Sequence, residues 1–110
     1  MEFGLNKDDV VNICKVFENV DELEEAIVFG SRAKGNYKSG SDVDLALKGR
    51  DLNLKVLNRI SNELDDLYLP YIFDLCNYSL IENPDLKDHI KRIGIPLYRN
   101  YKKGLTEEVL

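Results

Sequence analysis

Asp42 and Asp44 flank a single valine, and Asp74 interrupts the apolar run Tyr71-Ile72-Phe73-Leu75. Gly30-Ser31 follows directly on a second apolar run, Ala26-Ile27-Val28-Phe29. If Asp42 to Asp44 opens a strand, the two carboxylates share a face with Cα atoms roughly 6.5 to 7 Å apart. Two like charges near 4 Å apart repel by about 4 kcal/mol at an effective dielectric of about 20. A divalent cation bound between them reverses that cost. Oxygen-only ligands suit Mg²⁺, which takes one or two carboxylates, keeps several waters and completes its shell with substrate phosphates. An ionised Asp74 inside an apolar strand is expensive unless paired. Beside the strand carrying Asp42 and Asp44 it reaches the same metals, and it can accept the proton of an attacking hydroxyl. Two such ions about 3.5 to 4 Å apart stabilise the attacking and leaving oxygens of an in-line displacement.

The Gly30-Ser31 pair supplies the complementary half of such a site. Glycine lets backbone approach a phosphate closely, and the N–H groups that follow at a turn or helix start form an anion-binding concavity. Ser31 adds a hydroxyl donor. Arg32 and Lys34 are placed to neutralise a triphosphate, Arg32 with a bidentate fork and Lys34 as a point charge. Competing readings are an Asp74 that faces outward on an edge strand and an Arg32 that anchors an acid of the first helix. His89, between Asp88 and Ile90, reads as a solvated helix residue, and the tyrosines as core, rim or interface.

The elements that must hold these residues can be read from periodicity and punctuation. A helix is expected from Asp8, as N-cap, to about Val20, with Val10, Cys14 and Phe17 on one stripe. Ala26 to Phe29 reads as a buried strand, Gly30 to Gly35 as a turn that can open a short helix, and Asn36 to Ser41 as loop. Val43 to Lys48 is a second strand, followed by a helix from Asp51 to about Leu67 with Val56, Ile60, Leu64 and Leu67 at helical spacing. Pro70 closes that helix ahead of a third strand, Tyr71 to Cys76. Asn83 as N-cap, Pro84 at the first helical position, Leu86, Ile90 and Ile93 inward, and Gly94 beyond the end mark a last helix. Pro96-Leu97-Tyr98 forms a fourth strand. The expected fold is α+β, a small mixed sheet of about four strands with helices on one face.

Composition sets the outer bounds. At 110 residues, 44% hydrophobic and 32% charged, the chain fits one globular domain with a single core. No separate acceptor-binding domain is expected within it. No apolar run is long enough to span a bilayer, and MEFGLNKDD does not read as a signal peptide, so the expectation is a cytoplasmic protein. Cys14 and Cys76, the only cysteines, are far apart and read as buried thiols rather than as a disulfide or zinc site. A net charge of −5 argues against direct nucleic-acid binding. Residues 1 to 30 hold eight acids and two bases, a balance of −6, whereas residues 31 to 50 hold five bases and two acids, a balance of +3. A local basic region inside an acidic chain suits a compact polyphosphate such as a nucleoside triphosphate.

Gly30-Ser31, ten residues, then Asp42-Val43-Asp44 resembles the GSx10DxD signature of the nucleotidyltransferases related to DNA polymerase beta. GSRAKG with SDVDLAL resembles the minimal branch of that superfamily, over roughly residues 8 to 99. The resemblance implies a polymerase beta-like palm fold over residues 1–99, with a polar tail at 100–110 that is flexible or docks on a partner. It implies Asp42 and Asp44 as ligands of two Mg²⁺ ions, Asp74 as metal ligand and base, and Gly30 and Ser31 on the β and γ phosphates of ATP. Lys34 stands where relatives often carry Arg, keeping the charge and losing the fork. It further implies a HEPN-domain partner, encoded nearby, to whose hydroxyl the antitoxin transfers AMP. Two rivals remain: a non-catalytic antitoxin that inhibits by binding alone, and a transferase for small molecules, which usually carries an added helical domain.

Overall fold

The computed structural model of the chain describes residues 3–38, 40 and 42–100. The expected tail therefore lies outside the described residues from position 101 onward. The order is α1 (Lys7–Glu18), β1 (Glu25–Phe29), α2 (Gly30–Lys34), β2 (Val43–Lys48), α3 (Leu54–Asp65), β3 (Phe73–Asn77), α4 (Pro84–Ile93) and β4 (Ile95–Arg99). A 3₁₀ turn over Tyr78–Leu80, which periodicity did not suggest, follows β3.

Capping explains where the helices start. Asn6, not Asp8, caps α1: its side-chain oxygen accepts from the Asp8 N–H at 2.9 Å. Asp8 and Asp9 are thereby left in the first turn, where the helix dipole favours acids. The start of α3 moves likewise from Asp51 to Asn53, whose side chain accepts from the Val56 N–H at 3.0 Å. Asp51 has φ +57, a left-handed conformation that no helix can begin through. α4 has the Asn83 cap and the Pro84 start that its sequence announces. Gly94 closes it for a different reason than a left-handed cap: its φ is −59, and a Cβ there would come within 2.6 Å of Ile27 Cγ2 and overlap the Ile90 carbonyl.

The four strands form one sheet in the order β3-β2-β1-β4. β1 runs antiparallel to both neighbours, and β2 pairs with β3 in parallel, so the sheet is mixed and the fold α+β as expected. Ala26, Val28, Val43, Leu45 and Leu47 turn one face of it onto Phe17 and Ile13 of α1 and Val56, Ile60 and Leu64 of α3. The expected placement of all helices on one face is corrected: Ile90 of α4 packs with Ile27 and Ala46 on the opposite face. The strand order gives the reason. α3 carries the chain outward from β2 to β3, whereas α4 carries it back across the sheet from β3 to β4, parallel to β3. Crossovers of one hand that travel in opposite directions put their helices on opposite faces.

Candidate functional site

On the face covered by α4, register lines up the groups of the site. Phe29 pairs with Asp44 across the β1–β2 ladder, and Asp44 pairs with Asp74 across the β2–β3 ladder. Adjacent strands lie about 4.8 Å apart, so Asp44 and Asp74 stand side by side. Asp42 sits exposed just ahead of β2, Asp74 is exposed on β3, and Asp44 between them is half-buried. The carboxyl of Asp44 is raised above its ordinary value, first by burial, then by the charges of Asp74 and Asp42, with His89 opposing. The same field reaches Cys76, one position along this face from Asp74. Burial, then Asp74 and Asp44, push its thiol up to about 11. Both cysteines are half-buried and free rather than fully buried.

Gly30 adjoins these acids. Its φ is +71, a region that L side chains rarely adopt, and a Cβ would overlap Oδ2 of Asp44. Glycine is thus required twice over, by the turn out of β1 and by the carboxylate beside it. Ser31 follows half-buried in the first turn of α2, and Lys34 lies exposed at its end.

Arg32 is not brought to the carboxylates. It is 4% exposed, donates from Nη1 to the Phe3 carbonyl at 2.7 Å, and lies over the rings of Tyr37 and Tyr71 at 5.1 and 5.6 Å. Tyr71 in turn donates to Asp9 of α1 at 2.8 Å. The guanidinium therefore ties α2 to the N-terminal segment, directed at Phe3, Tyr37 and Tyr71. A planar cation that stacks and donates at once suits this position.

His89, read as solvated, is instead half-buried beside the site. Its Nε2 accepts the Gly30 N–H at 3.2 Å, and its ring meets Phe29 edge-on at 6.2 Å. The signal was present in the spacing: Leu86, Ile90 and Ile93 define the inner stripe of α4, and position 89 lies within it.

Among the described residues, no three His, Cys, Asp or Glu side chains are gathered into a ready-made metal cage. What the strands present is a row of adjacent acids. That row fits Mg²⁺, which binds through one or two carboxylates plus substrate phosphates rather than in an all-protein cage. The oxygen-only donors and the mutual repulsion that raises Asp44 both favour a cation there.

The sequence profile of the polymerase beta nucleotidyltransferases matches residues 11–103. The chain belongs to the polymerase beta nucleotidyltransferase family. A protein of Methanocaldococcus jannaschii, provisionally named a protein adenylyltransferase, is 35% identical over 75 residues, covering 61% of this chain and 71% of that one. A solved structure described provisionally as a minimal nucleotidyltransferase superposes with a TM-score of 0.68 at 23% identity, over 87% of this chain and 96% of the other. The antitoxin in a Shewanella oneidensis complex, described as tri-AMPylated HEPN toxin with MNT antitoxin, gives 0.64 at 17% identity over 93% and 79%. A toxin–antitoxin complex with AMP-PNP gives 0.66 at 20% identity over 90% and 77%. At these identities the structures share the nucleotidyltransferase fold with this chain. Among the described residues no helix is long and apolar enough to cross a membrane.

Proposed function

We propose that this nucleotidyltransferase moves AMP from ATP to a hydroxyl of a HEPN-domain partner and, as its antitoxin, neutralises that partner. The observation that carries the reading is the in-register row of Asp44 and Asp74, with Asp42 just ahead and Gly30 directly beside Asp44. Asp42, Asp44 and Asp74 would hold Mg²⁺, which when bound neutralises the charge of the phosphates and of the acids themselves. The bare glycine keeps the wall of the site low enough for the triphosphate to lie against backbone. Ser31 contributes a hydroxyl and Lys34 a mobile positive charge to the phosphates. The partner's hydroxyl oxygen bonds to the α-phosphorus, the bond from that phosphorus to the bridging oxygen breaks, and pyrophosphate leaves. Asp74, the exposed member of the pair, stands where the incoming hydroxyl can pass its proton. The protein adenylyltransferase name of the archaeal relative and the AMPylated toxin in the Shewanella complex support this choice of nucleotide and acceptor.

The test is the intact mass of a co-expressed HEPN protein from the neighbouring gene. Adenylyl additions should appear with the wild type, disappear with Asp44→Asn, and require a divalent cation when the reaction is rebuilt from purified parts. A partner neutralised equally well by Asp44→Asn, with no mass change, would establish inhibition by contact instead.

A further inference from the structure

The acids are not the only charged cluster on the face that α4 covers. Four residues back along β1 from Phe29, roughly 13 Å at the strand rise of about 3.3 Å per residue, Glu25 pairs with Lys48. A cavity of about 230 Å³ opens there. Its floor is apolar, built from Ile27, Ile90 and Pro96, and its rim carries Lys48, Lys91 and Arg99. Tyr78 forms one wall, with Lys48 Nζ 4.4 Å from the ring centroid and Lys87 Nζ at 5.5 Å. Two ammonium groups thus crowd one ring, and Lys91 stands exposed on the next turn of α4.

Among the lining side chains Glu25 is the single acid. It is mostly committed: the Arg99 guanidinium forks onto it, and Lys48 lies 3.9 Å away. Since Arg99 is engaged, the case rests on the lysines. Lys48 and Lys91 line the cavity, and Lys87 lies against the same Tyr78 ring as Lys48, in a chain whose net charge is −5. An anion seated among them relieves their mutual repulsion, as a cation does for the aspartates at the far end of the face.

We propose that this cavity is a docking site for an acidic protein segment, one carboxylate seated between Lys48 and Lys91 with Lys87 adding its charge from beside Tyr78, and a neighbouring aliphatic side chain on Ile27, Ile90 and Pro96. The apolar floor selects a peptide over inorganic phosphate, which would gain nothing from it. The surrounding acidity selects a peptide over a polynucleotide, whose long phosphate backbone needs an extended basic track. Lysines, compact charges on flexible stems, suit steering and a salt-sensitive contact. The site is independent of the transfer reaction, so Asp44→Asn should leave it intact.

The experiment is a titration of ¹⁵N-labelled full-length protein with a soluble peptide of alternating glutamate and leucine, beside the same peptide carrying glutamine for glutamate. The glutamate peptide should shift the amides of Tyr78, Ile90, Lys91 and Gly94 saturably and bind at least tenfold more tightly than the glutamine peptide. Raised salt should weaken it. The double variant Lys87→Glu with Lys91→Glu should lose that preference, while Lys87→Arg with Lys91→Arg should keep it. Lys91→Gln, on the solvent side of α4, should bind several-fold more weakly and serves if the double reversal fails to fold. Equal binding of the two peptides would overturn the proposal, as would shifts centred elsewhere. So would tighter binding by single-stranded polyuridylate, which would mark a nucleic-acid surface, or self-association that the Lys-to-Glu changes abolish.

Discussion

The two faces of the sheet are built from the same strands and differ in almost everything else. Along β2 the residues alternate: Val43, Leu45 and Leu47 are wholly buried toward α1 and α3, while Asp44, Ala46 and Lys48 face α4. The first face belongs to a cluster of fifteen buried apolar residues among those described, the second to a cluster of three. Its centre is an alanine and its two ends carry opposite charge. Because the α1/α3 face holds the fold together, the α4 face can tolerate like charges at both ends, which a cation or an anion is then needed to balance. Stability and chemistry are separated by the two-residue period of a strand.

The sharpest way to break that comparison is to mutate neighbours on β2. Asp44→Asn should lower transfer at least a hundredfold, each tenfold being about 1.4 kcal/mol of transition-state energy, and leave the melting temperature without metal unchanged or higher. Leu45→Ala, one residue along, should cost about 2 to 5 kcal/mol in a urea melt by opening a cavity in the main core. The fraction that stays folded should keep its transfer rate. A variant pair in which stability falls with Asp44→Asn, or in which activity per folded molecule collapses with Leu45→Ala, would show that the faces are not separable.

Arg32 sharpens the same comparison, because sequence placed it on the chemical face and the structure places it on the stabilising one. Arg32→Met should destabilise by about 1 to 3 kcal/mol, leaving the half-buried Phe3 carbonyl without its donor. Transfer per folded molecule should fall less than tenfold. A loss like that of Asp44→Asn with an unchanged melt would return Arg32 to the phosphates.

What could be read from the sequence follows the range over which each feature is decided. β2 and α4 were legible almost to the residue, because alternation, the Asn83 cap and Pro84 are local signals. The start of α1 shifted because Asn6 outcompeted Asp8 as its cap, a contest between like side chains that spacing alone does not settle, and that of α3 because Asp51 is left-handed and Asn53 caps instead. The face of α4 was illegible without the strand order, since only the return from β3 to β4 across the sheet decides it. In the site, Gly30, Asp42, Asp44 and Asp74 could be placed together because strand periodicity and the pairing of successive strands bring them there. The contact of Arg32 with Phe3 is distant in sequence and no short spacing encodes it, whereas His89 was passed over although its position falls within the inner stripe of α4 that brings it to Gly30.

The smallest expected effect is a slope. Burial, then Asp74, then Asp42 raise the Asp44 carboxyl above its ordinary 3.8, against a smaller opposing pull from His89. The folded chain then holds this proton more tightly than the unfolded chain does, so across the interval above pH 3.8 the native state binds more protons. Stability falls as pH rises wherever that is so. The penalty of an ionised Asp44 is absent below its unfolded value, grows through the interval, and is fully present above the folded value. Asn at this position carries no charge at any pH and escapes it. In urea melts without divalent cations, wild type and Asp44→Asn should therefore lie closest near pH 3.8, with the variant gaining as pH rises toward neutrality and then holding a constant lead. Saturating Mg²⁺ with nucleotide should remove the lead by stabilising the wild type alone, by RT ln(1 + [L]/Kd). If the wild type instead gains on the variant as pH rises in the absence of metal, the ionised carboxylate is held by a partner within the protein, and the α4 face is stabilised by Asp44 rather than strained by it.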